Sequence, residues 1–505
     1  MGLYALLGRR SRPPTIPTDR IIPLRYFDDQ RYLRPCHDFT LRFDDVLDAP
    51  KLEAALDRLM EIGNWGQLGA RLRQNDDDRL EYHIPAQYDK MTRPAFVFTT
   101  TEHRMSINEH PLGSQLPKTS QDQPVLYPSC AHFAPLVCHP DGPRQLADWI
   151  YTDRPQLHIH LVLFQDATLL TLNFIHTLTD AISRINFFRA WLAVLNGREE
   201  EVPQFYPFDH DPLHALGVNA QAETYSNFSR LVSGLALVLW GLRFLFERAL
   251  WFRKEEEHLI RLPKACVKRI AETARQELAA AAPTSPDGAE KRPFLSENDV
   301  LIAWWVRMMV IALKPASNRT VVAMNVFNVW GLFPEWFPDG GAGFIGNAFF
   351  CSYSLHRASR ILQDTNLAYV ASKNRQALVE HRTKAQVQAM AAIQRTSPLK
   401  AAPLVGDSSM LFLSCTNHQK AGLFELDFSS AVVAPGTPLS KRPHALGRPS
   451  CINKIEHHPS YLSRDVLRIF GKDAGGDWWL AFKTRRGAWP EIRRQLMLLE
   501  TEKKG

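Results

Sequence analysis

Apolar and polar positions follow two different periods along the chain, and the switches between them mark its elements. Over residues 49–62 (APKLEAALDRLMEI), Leu52, Ala55, Leu56, Leu59 and Met60 recur at helical spacing, and Gly63 ends the run. This predicts a core-facing helix. Between Asn64 and Ile84 short apolar pieces are separated by charged breaks, and three consecutive aspartates suit a hairpin turn. Gln115 to Pro128 is proline-rich and polar and reads as a loop. From Gln156 the period becomes two. LHIHLVLF and LLTLNFI read as strands joined by QDAT, with Leu170, Leu172 and Phe174 on one face and Thr171 and Asn173 on the other. In the following HTLTDAISRINFFRAWLAVL, Ala181, Ile185, Phe188, Leu192 and Leu195 fall on one helical stripe.

Residues 196–262 combine Glu199 to Glu201, several prolines and an apolar run, Leu231 to Leu242 (LVSGLALVLWGL), and read as a connection between domains. A membrane-crossing helix needs roughly 20 apolar residues. This run meets Arg243 too early, so it reads as a packed or interfacial helix. Arg230, Arg243, Arg248, Arg253 and Lys254 leave a peripheral membrane contact through 231–248 as an alternative. Beyond it come an amphipathic helix from Lys264 to Leu278, a polar loop (PTSPDGAEKR), and SENDVLIAWWVRMM, whose Ser296 and Asp299 resemble a capping box. VVAMNVFNVW is strand-like, WGLFPEWFPDGGAGFIGN is a loop, Asp364 to Gln394 is helical, and LFLSC and FELDF read as strands. Alternating strands and helices in both halves predict two α/β layered domains, 1–200 and 263–505, with 201–262 as the crossover linker.

Composition narrows the class. A chain of 505 residues is too long for one core, and 45% hydrophobic with 22% charged residues excludes a disordered chain. Seven cysteines without a CxxC pair fit reduced thiols in the cytoplasm better than a disulfide framework or zinc cluster, so no metal is expected. The N-terminal MGLYALLGRRSR is too short in apolar residues for a secretory signal and has Leu6 where a myristoylation signal has Ser or Thr, so neither export nor a lipid anchor is expected. The net charge of +7 permits an anionic ligand without naming one. With no dense basic stripe or recognition motif, nucleic-acid binding is disfavoured.

No P-loop, GxGxxG, GxSxG, HExxH or kinase signature occurs. What remains is His176 with Asp180 four residues on. The bare pattern equally describes an ordinary loop histidine, but its place between an apolar strand and a helix is one where ligands commonly reach. A neutral imidazole there can take a proton from an alcohol or amine as that group becomes a nucleophile. Asp180 could orient the ring or cap the helix by accepting N–H bonds from Ile182 or Ser183.

The segment LLTLNFIHTLTDAISRINFFRAWLAVL resembles the HxxxD region of the BAHD acyltransferases, in particular their fungal branch, typified by trichothecene 3-O-acetyltransferases. In the same order, VLDAPKLEAALDRLMEIGNWGQLGARLR, FLSENDVLIAWWVRMM, FIGNAFF and SCTNHQKAGLFELDFSSAVVAPGTP are similar to further segments of that branch. The resemblance implies two chloramphenicol-acetyltransferase-like layered domains with a solvent channel between them. It also implies an acyl-CoA-dependent O-acyltransferase acting on a hydroxyl of a hydrophobic secondary metabolite. Acyl-CoA, most simply acetyl-CoA, is a co-substrate, with no bound cofactor and no metal. Transfer is direct in a ternary complex, with His176 as base, Asp180 supporting its loop, and the protein a monomer. Asp427 and Phe428 match the start of the family's structural DFGWG motif, but Ser429, Ser430 and Ala431 follow. Phe327 stands where the family often has the arginine that pairs with the HxxxD aspartate. Thr416 and Asn417 are candidates for the oxyanion donor, and the 330–337 aromatics for an acceptor channel. N-acyl transfer to an amine and a non-catalytic binding or membrane-associated role remain as alternatives.

Overall fold

The computed structural model describes residues 11–118, 123–247, 254–281, 294–363, 367–397, 403–458 and 463–501. The N-terminal segment through residue 10, Arg248, Arg253, the polar loop at 283–292 and Asp364 lie outside them. Two sheets carry the architecture, and their strands are numbered here in chain order. The first sheet contains β1 (Cys36–Phe43), β2 (Val97–Glu102), β4 (His158–Leu163), β5 (Thr168–Ile175) and β10 (Cys451–His457), in the order β10-β1-β5-β4-β2. The second contains β3 (Val125–Ser129), β6 (Glu255–Leu262), β7 (Thr320–Asn328), β8 (Phe349–Arg357), β9 (Leu411–Asn417), β11 (Val466–Lys472) and β12 (Trp478–Arg485), in the order β8-β7-β9-β11-β12-β6-β3. The structure is mixed α/β, as the alternation of periods predicted. The halves divided at 200 and 263 exchange strands: β3 from the first half edges the second sheet, and β10 from the second half edges the first.

Local signals set the helices. Helix α1 (Ala49–Glu61) starts at Asp48, whose side chain accepts from the Lys51 N–H, and buries Leu52, Ala55, Leu56 and Leu59. Helix α2 (Ala181–Leu195) follows β5, and α5 (Glu297–Leu313) opens on the Ser296 and Asp299 capping box. Between them lie α3 (Gly234–Phe246) and α4 (Lys264–Ala281). Strands β4 and β5 pair antiparallel, and Leu170, Leu172 and Phe174 share a face. The hairpin predicted at the three aspartates also forms: Arg71–Gln74 pairs with Leu80–Ile84, and the connection turns through Asp78 at φ 60°.

Four expectations need correction. Val125–Ser129 is a strand, not loop; Pro128 cannot donate to a ladder, which suits a sheet edge paired on one side only. FELDF is not a strand: Gly422 is left-handed at φ 64° and opens a 3-10 turn over Leu423–Glu425, and Phe428 ends a loop. The helical stretch running to Gln394 is broken, into α6 (Leu367–His381) and α7 (Lys384–Arg395), because Thr383 caps the second helix through the Gln386 N–H. The apolar helix α3 is only half packed. Trp240 and Ala236 meet a core cluster, whereas Leu235, Val238, Leu239, Leu242, Leu245 and Phe246 face outward, Leu235 at 74% exposure. No helix among the described residues is long and apolar enough to cross a membrane.

Candidate active site

The His176 loop is held from two sides. From the first half, the His176 N–H donates to Pro35 O at 3.1 Å. From the second, Asn347 Nδ2 donates to His176 O at 3.0 Å, and Ser183 Oγ donates to Gly346 O at 2.6 Å. The two segments that the sequence marks separately, HTLTD and FIGN, therefore meet in space. Within its own loop Gly346 leaves no room for a side chain, since a Cβ there would lie 2.7 Å from the Phe344 ring and 3.0 Å from Arg25 Nη1.

Asp180 sits under this loop as the cap of α2. Its Oδ1 accepts from the N–H groups of Ile182 (2.9 Å) and Ser183 (2.8 Å), and Oδ2 from that of Ala348 (3.1 Å). Burial pushes its carboxyl pKa up while these N–H bonds pull it down. The arginine missing at Phe327 is replaced by backbone donors, with Arg184 one helical turn along as the nearby positive charge.

His176 lines a cavity of about 180 Å³ between the two sheets. Its Nδ1 is buried without a hydrogen-bond partner, and its ring lies 5.1 Å from that of His37 and 6.4 Å from Phe349. Burial, reinforced by the Lys454 ammonium, lowers its pKa to about 4. The imidazole is neutral at pH 7, the form in which it can accept a proton.

Thr416 and Asn417 line the same cavity from the end of β9, but both are engaged. Thr416 Oγ1 pairs with His418 Nε2 at 3.1 Å, and Asn417 Nδ2 donates to Asn298 Oδ1 at 2.6 Å. Asp427 and Phe428 do not reach the cavity. Asp427 accepts from the Ser429 N–H at 3.0 Å and pairs with Arg448 at 3.3 Å, while Phe428 is buried against Phe43, Phe188 and Trp191. Nor do the 330–337 aromatics line it: Trp330, Phe333 and Phe337 pack into a core cluster. The apolar wall comes instead from Met324, Phe349, Phe350, Tyr353 and Met390.

Sequence reasoning missed the cavity's polar wall. His37 on β1 and Lys454 and Glu456 on β10 share one sheet face, since β1 and β10 pair His37 with Glu456 and Phe39 with Lys454. Arg184 on α2, His418 after β9 and Arg468 on β11 complete it. Burial alone would raise the Glu456 carboxyl, but Lys483 and Arg468 hold it well below the usual carboxylate range. It accepts from Arg468 at 2.6 Å and Ser463 at 2.5 Å. Lys454, only 6% exposed, is lowered to about 7, by burial first and then by Arg468, with Arg184 adding to the effect. The signal was present in CINKIEH, where Lys454 and Glu456 stand two residues apart on either side of Ile455. A half-polar strand of that kind has one face turned away from the core.

A buried, neutral histidine on a clamped loop, beside an apolar wall and a cationic one, can do base chemistry on a neutral nucleophile. Comparison with known proteins agrees. No protein-family model matches the chain. It is 40% identical to the acetyltransferase adrJ of Penicillium roqueforti over 96% of this chain and 97% of that one. It is 35% identical to the acetyltransferase sphE of Aspergillus fumigatus, over 99% of each. A relative from Sordaria araneosa named as the transcriptional regulator sdnM is also 35% identical, over 98% of this chain and 99% of that one. Among solved structures, F. sporotrichioides TRI101 complexed with coenzyme A and T-2 superposes with a TM-score of 0.66 at 15% identity, covering 94% of this chain and 97% of that one. Vinorine synthase gives 0.57 at 14% identity, covering 96% and 95%. With full-length acetyltransferase relatives, this two-sheet fold and an HxxxD histidine in its central cavity, the chain belongs to the fungal branch of the BAHD acyl-CoA-dependent acyltransferases.

Proposed function

We propose that the protein transfers an acyl group, most simply acetyl, from its CoA thioester to a hydroxyl of a hydrophobic secondary metabolite, with His176 as the general base. The observation that carries this reading is the neutral His176 imidazole in a cavity whose other wall is apolar. His176 accepts the hydroxyl proton as the oxygen forms its bond to the thioester carbonyl carbon. The carbonyl π pair moves onto oxygen, and its return expels CoA thiolate, which takes the proton back from the imidazolium. No acyl-enzyme is needed, because donor and acceptor meet in one ternary complex. Asp180 contributes by fixing the loop through the helix cap rather than by touching the ring.

The test is release of free CoA thiol from acetyl-CoA and longer acyl-CoAs, with pooled terpenoid and steroid alcohols and, separately, amines. Thiol release with alcohols supports the reading. Release with amines alone would replace it by N-acyl transfer, and no release with any pair would favour a binding role, such as the name of the Sordaria araneosa relative suggests.

We infer also that the chain acts as a monomer whose α3 stripe rests on a phospholipid surface. Six outward apolar residues share roughly one third of the helix circumference, with exposed Arg230 and Arg243 at its margins. Cosedimentation with phosphatidylserine vesicles that is lost in L242E/L245E would support this. Dimerisation of the wild type that the same variant abolishes would assign the stripe to a second copy instead.

A further inference from the structure

The cationic wall of the cavity is not balanced by the protein. The carboxylates that line it are Glu456 and Asp180, and Glu456 is already paired with Arg468 and with Lys483 at 3.4 Å, while Arg468 is shared with Glu257 behind the wall. His37 Nε2 also lies 3.9 Å from Glu456. That leaves Lys454 and Arg184. The Lys454 ammonium makes no hydrogen bond and no ion pair among the described residues, yet the residue is buried and lines the cavity. The Arg184 guanidinium stacks 4.1 Å from the Phe39 ring centre and 5.2 Å from that of Phe174, and its Nε and Nη2 are buried without partners. The nearest acid to it, Asp180, spends its oxygens on three backbone N–H groups.

Two buried cationic groups without a carboxylate partner on one cavity wall are costly; Lys454 relieves part of that cost by releasing its proton near pH 7, and an anion that entered the cavity would draw the proton back. The wall opposite is apolar and offers no carboxylate that could do so. We propose that Lys454, with Arg184 beside it, forms an anion-binding subsite next to His176 that receives an anionic oxygen of the bound substrates. This deepens the acyltransferase reading and rests on it. Two sources share that chemistry. One is the charge that develops on the thioester oxygen when the acceptor oxygen bonds to the carbonyl carbon, its proton passing to His176, and that returns to form the C=O bond as the thiolate leaves. The other is a fixed carboxylate at the far end of a dicarboxylic acyl chain. Thr416 and Asn417, bonded to His418 and Asn298, leave the first role open for Lys454.

Lys454→Met keeps length and apolar stem, and an apolar residue in place of a buried ion is commonly tolerated by the fold. Lys454→Arg keeps the charge. Binding of acetyl-CoA and malonyl-CoA is read by titration calorimetry, and acetyl transfer to an active alcohol by thiol release. If the anion is the developing oxyanion, K454M lowers kcat at least about tenfold with KM unchanged, the scale of one hydrogen bond to a charged group, and K454R recovers much of it. If it is a fixed carboxylate, acetyl transfer survives while K454M weakens malonyl-CoA binding at least about tenfold and K454R restores it. A folded K454M within about twofold of wild type in both measurements overturns the subsite alone. Failure of the wild type to bind either CoA thioester overturns the acyltransferase reading, and the subsite with it.

Discussion

The two faces of strands β1 and β10 treat their polar residues differently. On the face turned from the cavity, Asp38 Oδ1 accepts from Asn173 at 2.9 Å, and Oδ2 pairs with His457 at 2.6 Å. Thr40 and Thr171 pair across strands at 2.9 Å. Asp38, His457 and Cys138 bring metal-ligand atom types within 4.8 Å of one another, but the carboxylate there is already shared between hydrogen-bonding partners. Asn173 Oδ1 and His158 Nε2 on that face are buried without partners among the described residues. On the cavity face, one residue along, both ring nitrogens of His37, the Lys454 ammonium and His176 Nδ1 lack hydrogen bonds. Buried polar groups are normally matched. The covered face follows that rule mostly within itself, while the cavity face leaves several of its donors and acceptors unmatched by the protein. Unmatched polarity, rather than polarity as such, separates a site from a core.

The sharpest way to break this contrast is to remove the base. His176→Ala should lower the acyl-transfer rate at least about 10²-fold with the melting temperature nearly unchanged; an active variant would sink the assignment. Asp38→Ala should do the reverse. It strands His457 and Asn173 in a buried setting and should cost about 1–3 kcal/mol in denaturant unfolding, with transfer at permissive temperature retained. A variant as stable as wild type would mean that the outer face is not matched in the way described.

The pH profile offers a finer test. Because burial lowers the folded-state pKa of His176 to about 4, its neutral form persists on acidification, and the acid limb of kcat/KM should fall near pH 4. At pH 5.5 this leaves activity about tenfold above what a base of pKa near 6.5 would allow. Stability also falls on acidification, but from a higher pH. The unfolded chain takes this proton more readily, so His176 contributes stability that is fully present above about pH 6.5 and is lost as pH falls toward 4. An acid limb at 6.5 would show that the ring is more solvated than its surroundings indicate. Smallest of all, Asp180→Asn should lower stability by about 1 kcal/mol through the weakened cap. Full catalytic loss with unchanged melting would assign Asp180 to the ring instead.

What could be read from sequence was what neighbouring residues decide. The caps at Asp180 and Ser296 and the stripe of α1 are set within a turn or two, so local spacing located them. His176 emerged because its strand, loop and helix are contiguous. Lys454 and His37 did not, since they become one wall only when β10 pairs with a strand some 400 residues earlier, a register no local period encodes. Val125–Ser129 was hidden by its proline and by a partner strand, Glu255–Leu262, at the far end of the segment read as a linker. The exposure of α3 was hidden for the opposite reason: a helix apolar on nearly all sides does not say which side the protein covers.

The exchange of β3 and β10 also sets an order of events on the ribosome. His176 leaves the exit tunnel with its strand and helix able to form at once, but the edge of its sheet stays open until Cys451–His457 has been made. Until then the emerging first half carries an unpaired strand edge and half of a polar wall. Domain-by-domain folding during translation, the usual route for long chains, cannot complete here. The cavity comes into existence nearly all at once, when β10, β11 and β12 close both sheets.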